Sequence, residues 1–271
     1  MPLPLVEKIG SHANNILASF GDFVLFVART FGWIIRGGLR WKNLRLLFPQ
    51  MYEVGARSVP VVGVTGAFIG MVMAVETANQ FKAIGQENRI GMLINLSVVK
   101  QIGPVLAAVM LAGRVGGALA AELGTMNVTE QLDALRVMGA DPIRYLVVPR
   151  FLATLLLTPV LTIYSDALGI IGGWFISVFL LGIPNEPYWQ FSHVEMWQIM
   201  EGLLKSILFG GSIGLISCYK GFNSGSGASG VGRACTESFV ASFLVIIMQN
   251  FVFAEVSKQA YVALYGIKGI F

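Results

Sequence analysis

Charged side chains are scarce in this sequence, and their scarcity indicates its class. Only 13% of the 271 residues are charged, against about 25% in an average soluble domain, while 55% are apolar and the mean hydropathy is +0.70. A chain of this composition belongs in a lipid bilayer. Its net charge of +4 does not predict a nucleic-acid partner, because the basic residues concentrate in particular connections between apolar runs.

Groups that carry catalysis or hold metals are also few. The two histidines, His12 and His193, and the two cysteines, Cys218 and Cys235, lie far apart along the chain and have no metal-site spacing. The GASG tetrapeptide at 227–230 contains a serine, but the two histidines lie in the N-terminal tail and in an outer loop, on opposite sides of the membrane, and do not supply it with a base. No G-x-x-x-x-G-K-[ST] phosphate loop occurs. We therefore expect no enzyme activity, no catalytic residue, no metal and no cofactor in this chain.

Five apolar segments are long enough to cross the hydrocarbon core, which takes roughly 20 helical residues. The sequence predicts an all-α membrane protein with transmembrane helices at about 56–78, 91–115, 147–182, 198–219 and 237–258. The third segment fits either one tilted helix kinked near Pro159 or two helices joined by a tight turn. The basic residues favour one helix. With five spans and the N-terminus inside, thirteen Lys and Arg lie in inner segments and four in outer ones.

The region before these spans has a different pattern, so residues 1–50 and 51–271 are predicted as an N-terminal region and a transmembrane domain. In 16–36, at 100° per residue, Asp22 and Arg29 lie roughly opposite an apolar side. This pattern is typical of a helix lying in the membrane interface, with an ordinary helix packed on the bundle as the alternative.

Glycines also recur four residues apart, a spacing that lets transmembrane helices approach closely. Helix packing is the favoured interpretation, and a dimer seam is the alternative. The pairs are Gly66/Gly70, Gly113/Gly117, Gly169/Gly173 and Gly210/Gly214.

The connection between the second and third spans, 113–150, is polar. Asn127 and Glu130 have the spacing of a capping box and Gly139 supplies a stop, which together predict a short helix of about three turns. Its apolar side chains share one face. Such a helix is suited to binding by a soluble motor subunit on the inner side of the membrane. The alternative is a helix that lies on the membrane surface.

This connection contains the runs GRVG (113–116), AELGTM (121–126), TEQLDAL (129–135), GADP (139–142) and Pro149-Arg150, and it is preceded by GAFIGMV (66–72) and Gly103-Pro104. Together these runs closely resemble the signature of the MlaE/YrbE permeases.

The resemblance implies the permease subunit of an ABC transporter that moves phospholipid or related lipid across or between envelope membranes. In such systems the permease is a homodimer in the inner membrane, and separate cytoplasmic ATPase subunits bind ATP and Mg²⁺. A periplasmic MCE-domain hexamer and a small cytoplasmic accessory subunit are further partners that it suggests. Five spans would then place the N-terminus in the cytoplasm and the C-terminus in the periplasm.

The resemblance also suggests site residues. The coupling region at 122–142 would dock on the ATPase through Glu122, Gly124, Thr125, Met126, Glu130, Gln131, Asp133, Leu135, Gly139 and Asp141. The lipid pocket would lie between two permease copies and be lined by the first two spans. Its candidate residues are Met73, Glu76, Gln80, Phe81, Ile84, Lys100 and Gln101.

One position departs from the family pattern, which commonly has a basic residue and then Glu before Gly-Pro. Here Lys100 is followed by Gln101, which leaves a more positive pocket. Lys100 lies deep in an apolar stretch, where an unpaired charge costs at least about 3 kcal/mol. It therefore needs a partner, and the two candidates are an anionic lipid headgroup and the carboxylate of Glu76.

A self-sufficient secondary transporter for an amphipathic solute is the alternative function. That class is typically built from inverted repeats with paired broken helices at the membrane midplane. The sequence contains no internal repeat of this kind.

Overall fold

The computed structural model describes residues 3–38, 41–83, 85, 89–189 and 196–265, and this part of the chain is helical without a strand. The prediction of an all-α membrane protein is confirmed. The α-helices are α1 Leu3–Trp33, α2 Trp41–Val54, α3 Val59–Ala83, α4 Ile90–Ser97, α5 Gly103–Leu111, α6 Gly117–Val128, α7 Gln131–Val137, α8 Val148–Phe175, α9 Asn185–Tyr188, α10 Met196–Phe222 and α11 Gly227–Tyr265.

Several of these helices continue into one another through single π-helical turns. In the described part of the chain, six stretches are long and apolar enough to cross a bilayer: Leu17–Arg36, Arg45–Phe81, Ile90–Val128, Ile143–Leu180, Met196–Phe222 and Gly227–Ala263. The last five coincide with the five predicted spans, and the third predicted span, 147–182, ends two residues beyond its stretch.

The first stretch, Leu17–Arg36, is the helix predicted to lie in the membrane interface. Only 11% of its apolar window is buried inside the chain. Its contacts are made by one narrow face, on which Phe26 and Thr30 are buried. Length and composition alone do not separate a helix that crosses the bilayer from one that lies along it, so the interfacial placement stays a prediction.

The third predicted span is one continuous helix, as the distribution of basic residues indicated. It runs over 38 residues, from Ile143 to Leu180, with Pro159 inside it. At about 1.5 Å per residue it is about 57 Å long, so in a hydrocarbon core of about 30 Å it must tilt, extend past the core, or both. The alternative of two helices with a tight turn is not realised.

Glycines allow α3 and α10 to pack closely on α8. A Cβ on Gly70 would overlap the backbone of Gly169, and a Cβ on Gly66 would meet Ser165. On the other side of α8, Gly210 packs against Thr154 and Thr158. These glycine pairs therefore serve helix packing within one chain, as the favoured interpretation expected.

The pair in the second span differs, because a Cβ on Gly117 would meet no atom within 4 Å. Nearby Gly113 faces only the ring of Phe239. This pair does not bring two helices of the chain into backbone contact.

The far ends of α4 and α8 are tied together by the short helix α9. Its Tyr188 is fully buried, and the hydroxyl donates to the Ile170 carbonyl at 2.8 Å. The amide of Asn95 donates to the backbone carbonyl of Tyr188 at 3.0 Å. Burial raises the pKa of Tyr188 above its usual range, so the hydroxyl remains a donor.

Candidate functional site: the coupling segment and an intramembrane charge cluster

The coupling segment, residues 122–142, does not begin as the sequence predicted. Helix α6 continues to Val128, and Glu130 adopts a left-handed conformation with φ of 59°. The seven-residue helix α7 then starts at Gln131. The predicted capping box is therefore wrong, because Asn127 donates its side-chain amide to the Ser224 carbonyl at 3.1 Å instead of capping a helix. The helix has two turns rather than three.

The end of α7 agrees with the prediction, since Gly139 has φ of +76° and stops the helix. On the inward face Leu132 is buried and Leu135 is half-buried. Two apolar side chains at the tip face outward, Val137 at 88% and Met138 at 72% exposure. An apolar tip beside charged groups is typical of a surface that docks on another protein.

The ten candidate coupling residues divide by exposure. Gly124 is buried, and Met126, Leu135 and Asp141 are half-buried. The exposed members are Glu122, Thr125, Glu130, Gln131, Asp133 and Gly139.

Two partly buried contacts fix the base of the coupling segment. The guanidinium of Arg150, at the start of α8 and 4% exposed, donates to Glu122 of α6 at 3.0 Å. Asp141 accepts a bond from the Trp33 indole at 2.8 Å and another from the Ile143 amide at 2.9 Å. Asp141 therefore anchors the segment to α1, and is not a free docking group.

A charge cluster lies within the membrane spans and consists of Lys100, Gln101, Glu201 and Lys205. The ammonium of Lys205 is fully buried, lies 2.9 Å from Glu201 and donates to the Gln101 amide oxygen at 2.8 Å. Lys100 lies 3.8 Å from the other oxygen of Glu201, and its side chain is 45% exposed. Two ammonium groups thus share one carboxylate, and Lys100 is the looser and more accessible partner.

Glu201 corrects the structural partner predicted for Lys100. Glu76 is exposed on α3 and makes no ion pair within the described residues, whereas Glu201 is 4% exposed and lies between both lysines. A buried lysine needs a carboxylate as its partner, and Glu201 supplies one to both lysines. Glu76, one of the two candidate partners that the sequence left open for Lys100, therefore does not form that ion pair in the structure.

The other lipid-pocket candidates lie on or beside the outer half of α3. Gln80 is exposed, Met73 is half-buried, and Phe81 packs on the apolar cluster around Ile90. Ile84 lies outside the described residues. Among the described residues, Lys100 forms its ion pair with Glu201 and with none of these side chains.

A π-helical turn, Val98–Ile102, carries Lys100 and Gln101. Pro104 follows it and has no amide hydrogen, so the regular bonding of the helix is interrupted at this point. π-Turns of this kind occur frequently at functional sites. On the far side of the turn, an oxygen of Asp166 contacts Gly103, is buried, and has no hydrogen-bond partner within the described residues.

Comparisons with known proteins agree with this architecture. The family model for Permease MlaE matches residues 47–256. The chain belongs to the MlaE permease family. A probable ABC transporter permease protein of Rickettsia typhi is 38% identical over 257 residues, covering 94% of this chain and 98% of that protein.

Two further relatives of this MlaE-family chain have names that refer to lipids. The intermembrane phospholipid transport system permease protein MlaE of Haemophilus influenzae is 33% identical over 261 residues, covering 94% of this chain and 98% of its own. The chloroplastic protein TRIGALACTOSYLDIACYLGLYCEROL 1 of Arabidopsis thaliana is 35% identical over 224 residues, covering 82% of this chain and 63% of its own.

Sequence reasoning missed two residues of the charge cluster in this MlaE-family permease. Glu201 and Lys205 lie four residues apart at the start of an apolar run, a spacing that places them on one face of a helix. Charges inside a span mark functional positions by default, so this pair carried a usable signal. The sequence alone did not indicate that this face of α10 contacts Lys100 and Gln101.

Proposed function

We propose that this chain is the membrane-spanning permease subunit of an ABC transporter that moves phospholipid or a related lipid between or across envelope membranes. The observation that carries the proposal is the coupling segment, which projects an apolar tip, Val137 and Met138, beyond the ends of the spans. A separate ATPase subunit grips this tip. ATP and Mg²⁺ bind to that subunit, because this chain has no phosphate loop of its own.

The base of the coupling segment transmits movement of the motor into the spans. When two ATPase subunits close on ATP, they displace α7, and the rigid Arg150–Glu122 pair carries this displacement into α6 and α8. Helix α8 moves together with α3, because their glycines leave no space between the two backbones. Helix α10 packs on α8 through Gly210 in the same way, so motor closure moves α3, α8 and α10 relative to α4 and α5.

The charge cluster lies between the π-helical turn that precedes α5 and the N-terminal part of α10, and it provides the lipid-binding group. Glu201 is engaged by Lys205 at 2.9 Å, so Lys100 at 3.8 Å retains an ammonium that a lipid phosphate can approach. Two lysines and one carboxylate leave one positive charge without a counterion. The lipid phosphate supplies the second anion. Met73, Gln80 and Phe81 line the path of the acyl chains.

The working assembly is a homodimer in the inner membrane, with cytoplasmic ATPase subunits below and a periplasmic MCE-domain hexamer above. The N-terminus is cytoplasmic and the C-terminus is periplasmic. The inferred lipid cargo is supported by the printed names of the relatives from Haemophilus and Arabidopsis. A small cytoplasmic accessory subunit completes the assembly.

Purification from membranes in mild detergent, followed by mass spectrometry, tests the proposal. The expected result is an ATPase subunit and phospholipid that co-elute with the chain, and loss of the ATPase from a Val137→Asp variant. Recovery of the chain without an ATPase would contradict the proposal.

A further inference from the structure

A cavity of about 580 Å³ lies between α1, the coupling segment and the end of α10. Its walls include Asp22 and Arg29 from α1, Arg136 and Asp141 from the coupling segment, and Tyr219 from α10. The volume falls within the range of about 300–1,000 Å³ that is typical of small-molecule sites. It is separate from the charge cluster around Lys100, which none of these residues contacts.

The charged groups of this cavity are only partly used by the protein. Arg29 and Asp22 are exposed and make no ion pair in the described part of the chain. Arg136 pairs with Asp133 at 2.7 Å, but both side chains are more than half exposed, and such a pair contributes little. Asp141 already accepts two hydrogen bonds. Two guanidinium groups and one carboxylate therefore remain available to a ligand.

The surroundings of the cavity are those of the headgroup layer of a bilayer. Leu25, which lines the cavity from α1, is 57% exposed, and Phe20 on the same helix is 64% exposed. The indole of Trp33 and the ring of Tyr219 lie at the same end of the bundle, and these residue types concentrate at membrane–water interfaces. Acyl chains can follow α1 outward while a headgroup enters the polar part of the cavity.

We propose that this cavity binds the headgroup of a zwitterionic phospholipid as a bound structural lipid, distinct from the transported one. Its phosphate lies between Arg29 and Arg136, and its ammonium lies at Asp22 against the ring of Tyr219. Guanidinium groups suit phosphate, and an ammonium is attracted both by a carboxylate and by the face of an aromatic ring. A purely anionic headgroup would leave Asp22 without a cation, so the pattern selects an amine-bearing lipid.

Such a lipid would connect α1 to the coupling segment next to the Trp33–Asp141 hydrogen bond. With the orientation proposed above, this lipid lies in the cytoplasmic leaflet. That placement rests on the proposed orientation. The retained lipid can be counted without knowing that orientation or the cargo.

The test uses the full chain in nanodiscs made from equal amounts of phosphatidylethanolamine and phosphatidylglycerol, with retained lipids counted by native mass spectrometry. Wild type is expected to retain phosphatidylethanolamine in preference. Arg29→Gln should lower the retained phosphatidylethanolamine several-fold, and Asp22→Asn should remove the preference over phosphatidylglycerol. The matched control is Arg36→Gln, which removes the same charge from the same end of α1 but does not line the cavity.

The outcomes separate the proposal from its rivals. Lipid retention equal to wild type in both variants would overturn it, as would displacement of the lipid by excess inorganic phosphate, which would indicate a site for free phosphate. Loss of ATPase binding with unchanged lipid would instead assign the cavity to the partner interface. Arg29→Lys should restore retention, which guards against misfolding of the glutamine variant. Lys100→Ala should leave this lipid in place, so failure here and failure of the proposed transport function are distinguishable.

Discussion

Glu201 holds two lysines at one point inside the membrane, and the energetics of the site depend on it. Within the described residues, the other polar or cation–π contacts of the buried Lys205 are with the Gln101 amide and with the face of the Phe253 ring, 5.8 Å away. A buried ammonium without its carboxylate is an uncompensated charge in a medium of low dielectric constant. At the scale of single residues, Glu201 is therefore indispensable to the cluster, whereas Lys100 can exchange its partner.

Glu201→Gln is predicted to destabilise the protein by about 3–5 kcal/mol, because it leaves the Lys205 ammonium buried without an anion. The midpoint of thermal unfolding in detergent measures this effect. Glu186→Gln, at an exposed position on α9, is the matched control and should change little. The double variant Glu201→Gln with Lys205→Met should recover most of the loss. A single Glu201→Gln variant as stable as wild type would show that the pair is not important for stability.

Lys100→Ala is predicted to lower the phospholipid retained by the purified complex several-fold, while changing the free energy of unfolding by less than about 1 kcal/mol. The reason is that Glu201 keeps its closer partner, Lys205, at 2.9 Å. Quantitative lipid mass spectrometry and thermal unfolding measure the two effects. Lys258→Ala, at an exposed position on α11, is the control, with both quantities unchanged. Strong destabilisation by Lys100→Ala with normal lipid content would reduce Lys100 to a structural role.

Among the helices, α7 presents exposed apolar side chains at its C-terminal end, whereas α3 and α8 pack with their backbones in contact. The residue types in α7 predicted its position, its inward face and its stop at Gly139. They did not predict its start, because Asn127 is bound by Ser224, which lies 97 residues away in the sequence. A capping box is a pattern of residues close together in the sequence. It does not indicate when one of its side chains binds a residue far away in the sequence.

The same limit applied to the partner of Lys100. The sequence predicted correctly that Lys100 needs an anion, since that follows from its depth in an apolar span. Which of two carboxylates faces it depends on how α10 packs against α4 and α5. Three of the four glycine pairs show the favourable case, because their spacing predicted the close packing of helices, whereas Gly113/Gly117 has the same spacing without that packing.

Val137→Asp at the tip of α7 is predicted to abolish stimulation of the partner ATPase without unfolding the chain. The side chain is 88% exposed, so the charge is harmless in the free protein but becomes unpaired and buried in a docked complex. Glu130→Lys should have a similar effect through charge reversal. The conservative Val137→Ile variant should retain stimulation. An ATPase that binds and responds normally to Val137→Asp would leave α7 as a membrane-surface helix.

Gly70→Ala is predicted to destabilise the protein by about 1–3 kcal/mol, because the added methyl group overlaps the Gly169 backbone and α3 must move away from α8. Gly117→Ala is the matched control, since its methyl group enters open space. That control should be neutral or slightly stabilising. Equal unfolding midpoints for the two variants would contradict the close contact between α3 and α8.

At the scale of the whole molecule, five spans require the two ends of the chain to lie on opposite sides of the membrane. Cysteines introduced at positions 4 and 269, in a background without Cys218 and Cys235, are predicted to react with an impermeant maleimide from opposite sides. Residue 4 should be cytoplasmic, because the segments rich in Lys and Arg lie on that side. Labelling of both positions from one side would mean an even number of crossings, with Leu17–Arg36 as the additional span.

The central claim is that a separate ATPase drives lipid movement through the coupling segment. Its most direct test measures transfer of fluorescent phospholipid between proteoliposomes that contain the purified assembly and an external acceptor membrane. The account predicts transfer with wild type that requires ATP, and no ATP-dependent transfer with Glu130→Lys. Transfer that continues without ATP and follows an ion gradient, with Glu130→Lys equal to wild type, would contradict it and indicate a self-sufficient transporter.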